Sequence, residues 1–172
     1  MIRSLLAGAL AAAITPALAH VTLETQDAKV GGGYRAVLRV PHGCSGSATT
    51  SVRVKIPEGL IGVKPMPKPG WTLTTTAGKY PKTYKLFHAE VSEGVTEIGW
   101  SGGKLPDAWY DEFVFTGVLA GDLEAGKKLY FPVVQECEKG VHRWIEIPAA
   151  GKSRSDYSEP APELRLLPAS GP

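Results

Sequence analysis

Beyond residue 20 the hydrophobic and polar positions change places every residue or two rather than every three or four. Tyr34-Arg35-Ala36-Val37-Leu38-Arg39-Val40 and Ser51-Val52-Arg53-Val54-Lys55-Ile56 show the pattern most clearly. Thr83 to His88, Val95 to Trp100, Glu112 to Val118, Lys128 to Val134 and Arg143 to Ile147 lean on β-branched and aromatic residues in the same way. Such segments, ending at Gly or Pro, are half-buried strands. With His20 to Glu24 and Trp71 to Thr76 added, about nine strands are predicted, and no twelve-residue stretch sustains a helical period. An all-β domain follows, a two-sheet antiparallel sandwich. Pro132 inside a strand-like run predicts an edge or a bulge, because proline cannot donate to a ladder. The stretch from Gly151 to Pro172, rich in Ser, Pro and Ala, reads as a loosely attached final strand at Leu164 to Leu167 or as a disordered tail.

The first residues follow a different pattern. Arg3 precedes a continuous apolar stretch from Leu5 to Ile14, Pro16 interrupts it, and Ala17-Leu18-Ala19 has the small-x-small form of a cleavage site. These are the three parts of a secretory signal peptide, and the apolar stretch is too short to span a bilayer as a permanent helix. The expected organisation is a signal peptide over 1–19, a sandwich domain over 20–150 and a C-terminal extension over 151–172. No later apolar run is long enough to anchor the chain in a membrane. The expected location is the periplasm or the medium, after cleavage between Ala19 and His20.

Composition narrows the classes of function. The 172 residues include 20 Gly and 14 Pro, with no triplet repeat, which suits strands and turns and excludes collagen. Nineteen Lys and Arg against 17 Asp and Glu leave a formal charge of +2, without a basic run. Nucleic acid is therefore not an expected partner, since phosphate binding needs a concentrated basic surface. Two cysteines in an oxidising compartment read as one disulfide, Cys44 to Cys137, rather than as a pair of metal thiolates, for which the C-x-x-C spacing is missing.

Cleavage after Ala19 would make His20 the first residue, and this gives it chemistry that an internal histidine lacks. Its free amine and its imidazole nitrogen can close a chelate on one ion. At neutral pH protons compete only weakly with a metal for the amine and imidazole nitrogens, and nitrogen donors favour Cu(II), which heads the affinity order of the divalent first-row metals. Glu24 lies four residues on, about 13 Å along an extended strand, and suits a supporting position better than direct chelation. Asp111 and Glu112 begin a strand, from which a carboxylate can project toward the first strand, although most acidic residues at strand starts are merely solvated. His42, His88 and His142 show no paired spacing, and each alone reads as structural. Trp71, Trp100, Trp109 and Trp144 read as core anchors, while a tryptophan beside a copper ion can also shield it from water.

Seven fragments in order resemble the YcnI-like domain family of exported copper-binding proteins: His20 to Glu24 after the signal peptide, Val40 to Cys44, Pro67 to Trp71, Ile98 to Gly103, Asp111 to Phe113, Phe131 to Gln135, and Arg143-Trp144. The resemblance implies an immunoglobulin-like or cupredoxin-like β-sandwich with one Cu(II) per chain in a monohistidine brace. By matched motif, His20 is the chelating residue, Glu112 the carboxylate with Glu24 next, and Trp144 the nearby aromatic with Trp100 next. The function implied is copper buffering, trafficking or homeostasis in the periplasm rather than catalysis, with copper as the cargo. Another periplasmic copper chaperone or a membrane copper transporter would be the partner. A metal-free interaction module and a copper oxidase-type enzyme are the alternatives. The chain has no G-x-S-x-G motif, phosphate loop or second brace histidine to favour the enzyme.

Overall fold

A computed structural model describes residues 20–170, and the signal-peptide reading of 1–19 lies outside them. The order of elements is β1 (Thr22–Leu23), β2 (Asp27–Lys29), β3 (Gly33–Val40), β4 (Thr49–Lys55), β5 (Leu60–Pro65), β6 (Thr72–Leu86), β7 (Ala89–Leu105), β8 (Asp111–Leu119), β9 (Lys128–Tyr130), β10 (Val133–Cys137), β11 (Val141–Trp144) and β12 (Glu163–Leu167), with one short 3-10 turn at Arg154–Asp156. The strands form a four-stranded sheet β1-β3-β8-β5, a five-stranded sheet β11-β10-β4-β7-β6 and a small sheet β2-β12-β9. The fold is the all-β sandwich expected from the alternation, and its pairs are antiparallel except β12 with β2.

The alternation becomes a core because one face of each strand turns inward. On β3, Tyr34, Ala36, Leu38 and Val40 are buried while Arg35 and Arg39 stay exposed. Val52 and Val54 of β4 and Ile98 and Trp100 of β7 belong to the other sheet, while Phe113 and Phe115 lie beside the β3 residues on the neighbouring strand β8, all in one cluster. Burying side chains of this size contributes roughly 1.5–3 kcal/mol each, the main force that closes the sandwich. Leu164 and Leu166 of β12 join the same cluster, so the segment after Gly151 carries part of the core.

Two predicted boundaries move for identifiable reasons. The segments at Trp71 to Thr76 and Thr83 to His88 fuse into the long strand β6, which pairs with β7 as a ribbon from Thr72↔Ser101 to Leu86↔Ala89. At Phe131-Pro132 the run beginning at Lys128 leaves one sheet for another: β9 pairs with β12, whereas β10 pairs with β4 and β11. Pro132 lacks an N–H, so a change of sheet at this point costs no ladder donor. Its carbonyl still accepts from Lys55 N at 2.9 Å, and Phe131 is fully buried at the crossing.

Candidate functional site

The site lies where the start of β1, the loop after β3 and the edge strand β11 meet. Thr22 pairs with Arg39 near the end of β3, which places His20 beside Pro41 and the 41–48 loop. That loop is held in two ways. Cys44 is bonded to Cys137 at the end of β10, with 6.0 Å between their Cα atoms, as the count of two cysteines predicted. Gly43 is the other constraint, because a Cβ there would fall 1.9 Å from the Ser47 carbonyl oxygen.

On β11 the two-residue period turns His142 and Trp144 inward and leaves Val141 and Arg143 exposed. The Trp144 indole lies 5.4 Å from the His20 ring and 4.8 Å from the His142 ring, centroid to centroid. The His142 ring in turn stands 6.0 Å from that of His42. Three imidazoles and one indole are thus gathered from residues 20, 42, 142 and 144.

Gln135, fully buried on β10, organises this group from beneath. Its Oε1 accepts from Trp144 Nε1 at 3.0 Å, and its Nε2 donates to the His42 carbonyl at 2.7 Å and to Thr49 Oγ1 at 2.8 Å. A buried amide satisfied on both ends fixes its partners more firmly than packing alone, since breaking any bond would leave a polar group without water. Gln135 closes the matched fragment Phe131 to Gln135, and nothing in that fragment marks it as a site residue. Its opposition to His142 across the β10–β11 ladder is a pairing that sequence spacing does not carry.

The connection from β11 to β12 closes the other side. Glu159 accepts from His142 Nδ1 at 2.7 Å and from Arg143 N at 3.0 Å. Glu146 in turn receives Glu159 N at 2.6 Å, which fixes the carboxylate's backbone. Burial holds the His20 imidazole below its ordinary value of 6.5. The charge of Arg154 and the His42 ring push it the same way, against the Ser158 carbonyl that accepts from the ring and the Glu159 carboxylate. The ring is accordingly neutral near pH 7, the form in which a histidine nitrogen can bind a metal.

The remaining sequence candidates separate into two places. Glu112 and Glu24 both face Arg39, which donates to Glu112 Oε1 at 3.1 Å and to Glu24 Oε1 at 2.6 Å. Arg39 lines a shallow hollow with His20, Thr22, Pro41 and Tyr110, so this acidic pair stands at the edge of the site, held by a guanidinium. Trp100 belongs to the core instead: it is fully buried, its Nε1 donates to the Met66 carbonyl at 3.1 Å, and its ring meets Phe113 at 5.4 Å. Trp71 packs on Phe113 from another direction, and Trp109 is exposed. His88 sits exposed in the turn between β6 and β7. Among the described residues no group of three or more His, Cys, Asp or Glu side chains converges into a ready metal cage.

The fold and this end of it define an immunoglobulin-like β-sandwich carrying a histidine and tryptophan cluster. The chain belongs to the family described as "Domain of unknown function (DUF1775)", which matches residues 20–166. A structure of an uncharacterized protein from Nocardia farcinica, described as revealing an immunoglobulin-like fold, is similar at 27% identity and a TM-score of 0.61, covering 86% of this chain and 98% of that one. A cohesin module from a Clostridium perfringens family 33 glycoside hydrolase shares the fold alone, at 11% identity and a TM-score of 0.51, covering 87% of this chain and 96% of that one. No curated protein matches the chain.

Proposed function

We propose that this chain is a YcnI-like periplasmic copper-binding protein that buffers or hands on Cu(II), without catalysing a reaction. The ion, one per chain, is held by the amine and imidazole of His20 once cleavage after Ala19 has freed the amine. A carboxylate completes the set, with Glu112 as the first choice and Glu24 as the next. Recruiting either means trading one of its bonds to Arg39, which lines the same hollow as His20.

The observation that carries this reading is the setting of His20: a half-buried imidazole packed 5.4 Å from the Trp144 indole. A brace draws one donor from the main chain, so it needs fewer converging side chains than an ordinary metal cage. The buried indole excludes water from one side, and an anionic ligand offsets the cost of a dication next to apolar walls. The donors of another periplasmic chaperone or of a membrane copper transporter would compete for the same exposed face.

The test compares two proteins, one beginning at His20 and one carrying a single additional residue before it. Copper titration with electron paramagnetic resonance should show tight binding and a nitrogen-rich signal only in the first, and Glu112→Gln should weaken that binding with the fold intact. Equal affinity and the same spectrum in both proteins would place the metal on an internal histidine and defeat the brace.

A further inference from the structure

Glu112 and Glu24, the two carboxylates assigned to the His20 site, share one guanidinium but are not held alike. The registers place Thr22 opposite Arg39 and Arg39 opposite Glu112, so these side chains stand in a row on one face of β1, β3 and β8. Arg39 Nη2 donates to Glu24 Oε1 at 2.6 Å, and its Nε donates to Glu112 Oε1 at 3.1 Å. Arg35 Nη1 adds a second cation to Glu24, 3.9 Å from Oε2. Glu24 thus has the shorter bond and two guanidinium neighbours, whereas among the described residues the Glu112 carboxylate has the longer bond alone.

The backbone of Glu112 is fixed separately from its carboxylate. Asp111 Oδ1 accepts from Glu112 N at 2.8 Å, and Lys68 Nζ donates to Asp111 Oδ1 at 2.6 Å and to the Glu112 carbonyl at 3.1 Å. The Glu112 side chain can therefore change partners by rotation, without moving β8. Its bond to Arg39 is a weak restraint, because both groups are partly exposed and water competes for each. Asp111 Oδ1 is taken up by the two backbone-fixing bonds, so Glu112 is the acid that can be released beside the hollow lined by His20, Thr22, Arg39, Pro41 and Tyr110.

We infer that Arg39 is a positioning residue that limits copper affinity, and that Glu24 anchors Arg39 and does not ligate. The inference rests on the reading of His20 as the chelating residue. Glu112 turns from Arg39 Nε to an arriving dication, and Arg39 stays on Glu24, where its Nη2 is already bonded. The guanidinium opposes binding twice, by competing for the anionic donor and by standing as a cation beside the ion. Without Glu24, Arg39 can turn two donors onto Glu112 in fork geometry and hold it harder. Such opposition suits a protein that must give its cargo up, since a weaker hold speeds release.

Cu(II) titration of the chain beginning at His20, read as affinity and as the electron paramagnetic resonance spectrum, tests it. Arg39→Gln should bind roughly 3- to 10-fold more tightly with the same spectrum, because the donors do not change. Arg39→Lys, which keeps the charge and loses the fork, should fall between. Glu24→Gln should weaken binding when Arg39 is present and have no effect in the Arg39→Gln background, where loss of a ligand would still be felt. In the metal-free protein the Arg39 Nε–H resonance should shift on Glu112→Gln, and thermal melts of each variant separate loss of the site from loss of the fold. Unchanged or weaker binding by folded Arg39→Gln overturns the inference, as does an equal loss from Glu24→Gln in both backgrounds, which makes Glu24 the ligand. In either case a chain with one residue added before His20 still loses the tight site, and the brace stands. If that extended chain binds copper as tightly as the one beginning at His20, the brace fails and the role of Arg39 falls with it.

Discussion

Trp144 and Trp100 are both buried, with exposures of 2% and 0%, and both spend their indole N–H on a single acceptor, yet they do different work. Trp100 bonds a main-chain carbonyl and packs against Phe113 among residues of β4, β7 and β8. Trp144 bonds the side chain of Gln135 and lies between the rings of His20 and His142 at the end of the sandwich. Burial alone therefore does not separate an anchor from a site residue. What separates them is whether the neighbours carry lone pairs and whether the polar partner is itself a positioned side chain.

The contrast can be pressed hardest at Trp100. Trp100→Ala should cost about 3–5 kcal/mol, the usual loss for emptying a large aromatic site, with denaturant unfolding as the measure. Copper affinity of the fraction that remains folded should stay unchanged, and a loss of affinity in that fraction would erase the distinction drawn between the two tryptophans.

Opening the Cys44–Cys137 bridge is the next largest change. Cys44→Ser with Cys137→Ser should cost about 2–4 kcal/mol, because the bridge closes a long loop in the unfolded chain. It should also loosen the His42 loop while leaving Trp100 untouched. Proton NMR of the imidazole and indole resonances distinguishes these effects: the His42 lines should broaden and the Trp100 Nε1–H line should not.

Trp144→Phe sharpens the comparison with the smallest effect on stability. It removes one N–H and leaves Gln135 Oε1 unpaired, at a cost of about 1–2 kcal/mol. The copper electron paramagnetic resonance spectrum should nevertheless change, because the indole beside His20 becomes a smaller ring. An unaltered spectrum together with a stability loss as large as that of Trp100→Ala would make Trp144 an ordinary core residue.

Much of the strand content was legible because alternation is a local property. Tyr34 to Val40 and Glu112 to Val118 announce one buried and one wet face, and β3 and β8 pair along that whole length, from Gly33↔Val118 to Val40↔Asp111. Strands β2 and β5 were not legible: Asp27-Ala28-Lys29 is too short for a period, and β5 carries Gly62 at φ +60°, which interrupts the register that β5 makes with β8. The site divides in the same way. His20 stood out through its place after a stretch that reads as a cleavage signal, and Trp144 through a matched motif. His42 and His142 did not, since nothing local to either residue indicates that the other faces it.

By itself, the sequence determined the class of fold, the single pairing open to its two cysteines and the chemical promise of a histidine after Ala19, because each rests on neighbours in the chain or on a count. Only the tertiary structure decided that Pro132 marks a passage between sheets, that Leu164 and Leu166 belong to the common core, that Arg39 holds Glu24 and Glu112, and that Gln135 binds the His42 loop to Trp144. These are contacts between residues far apart in the chain. They form when burial of the strands' apolar faces sets the registers, and a local pattern of side chains carries no record of which register wins.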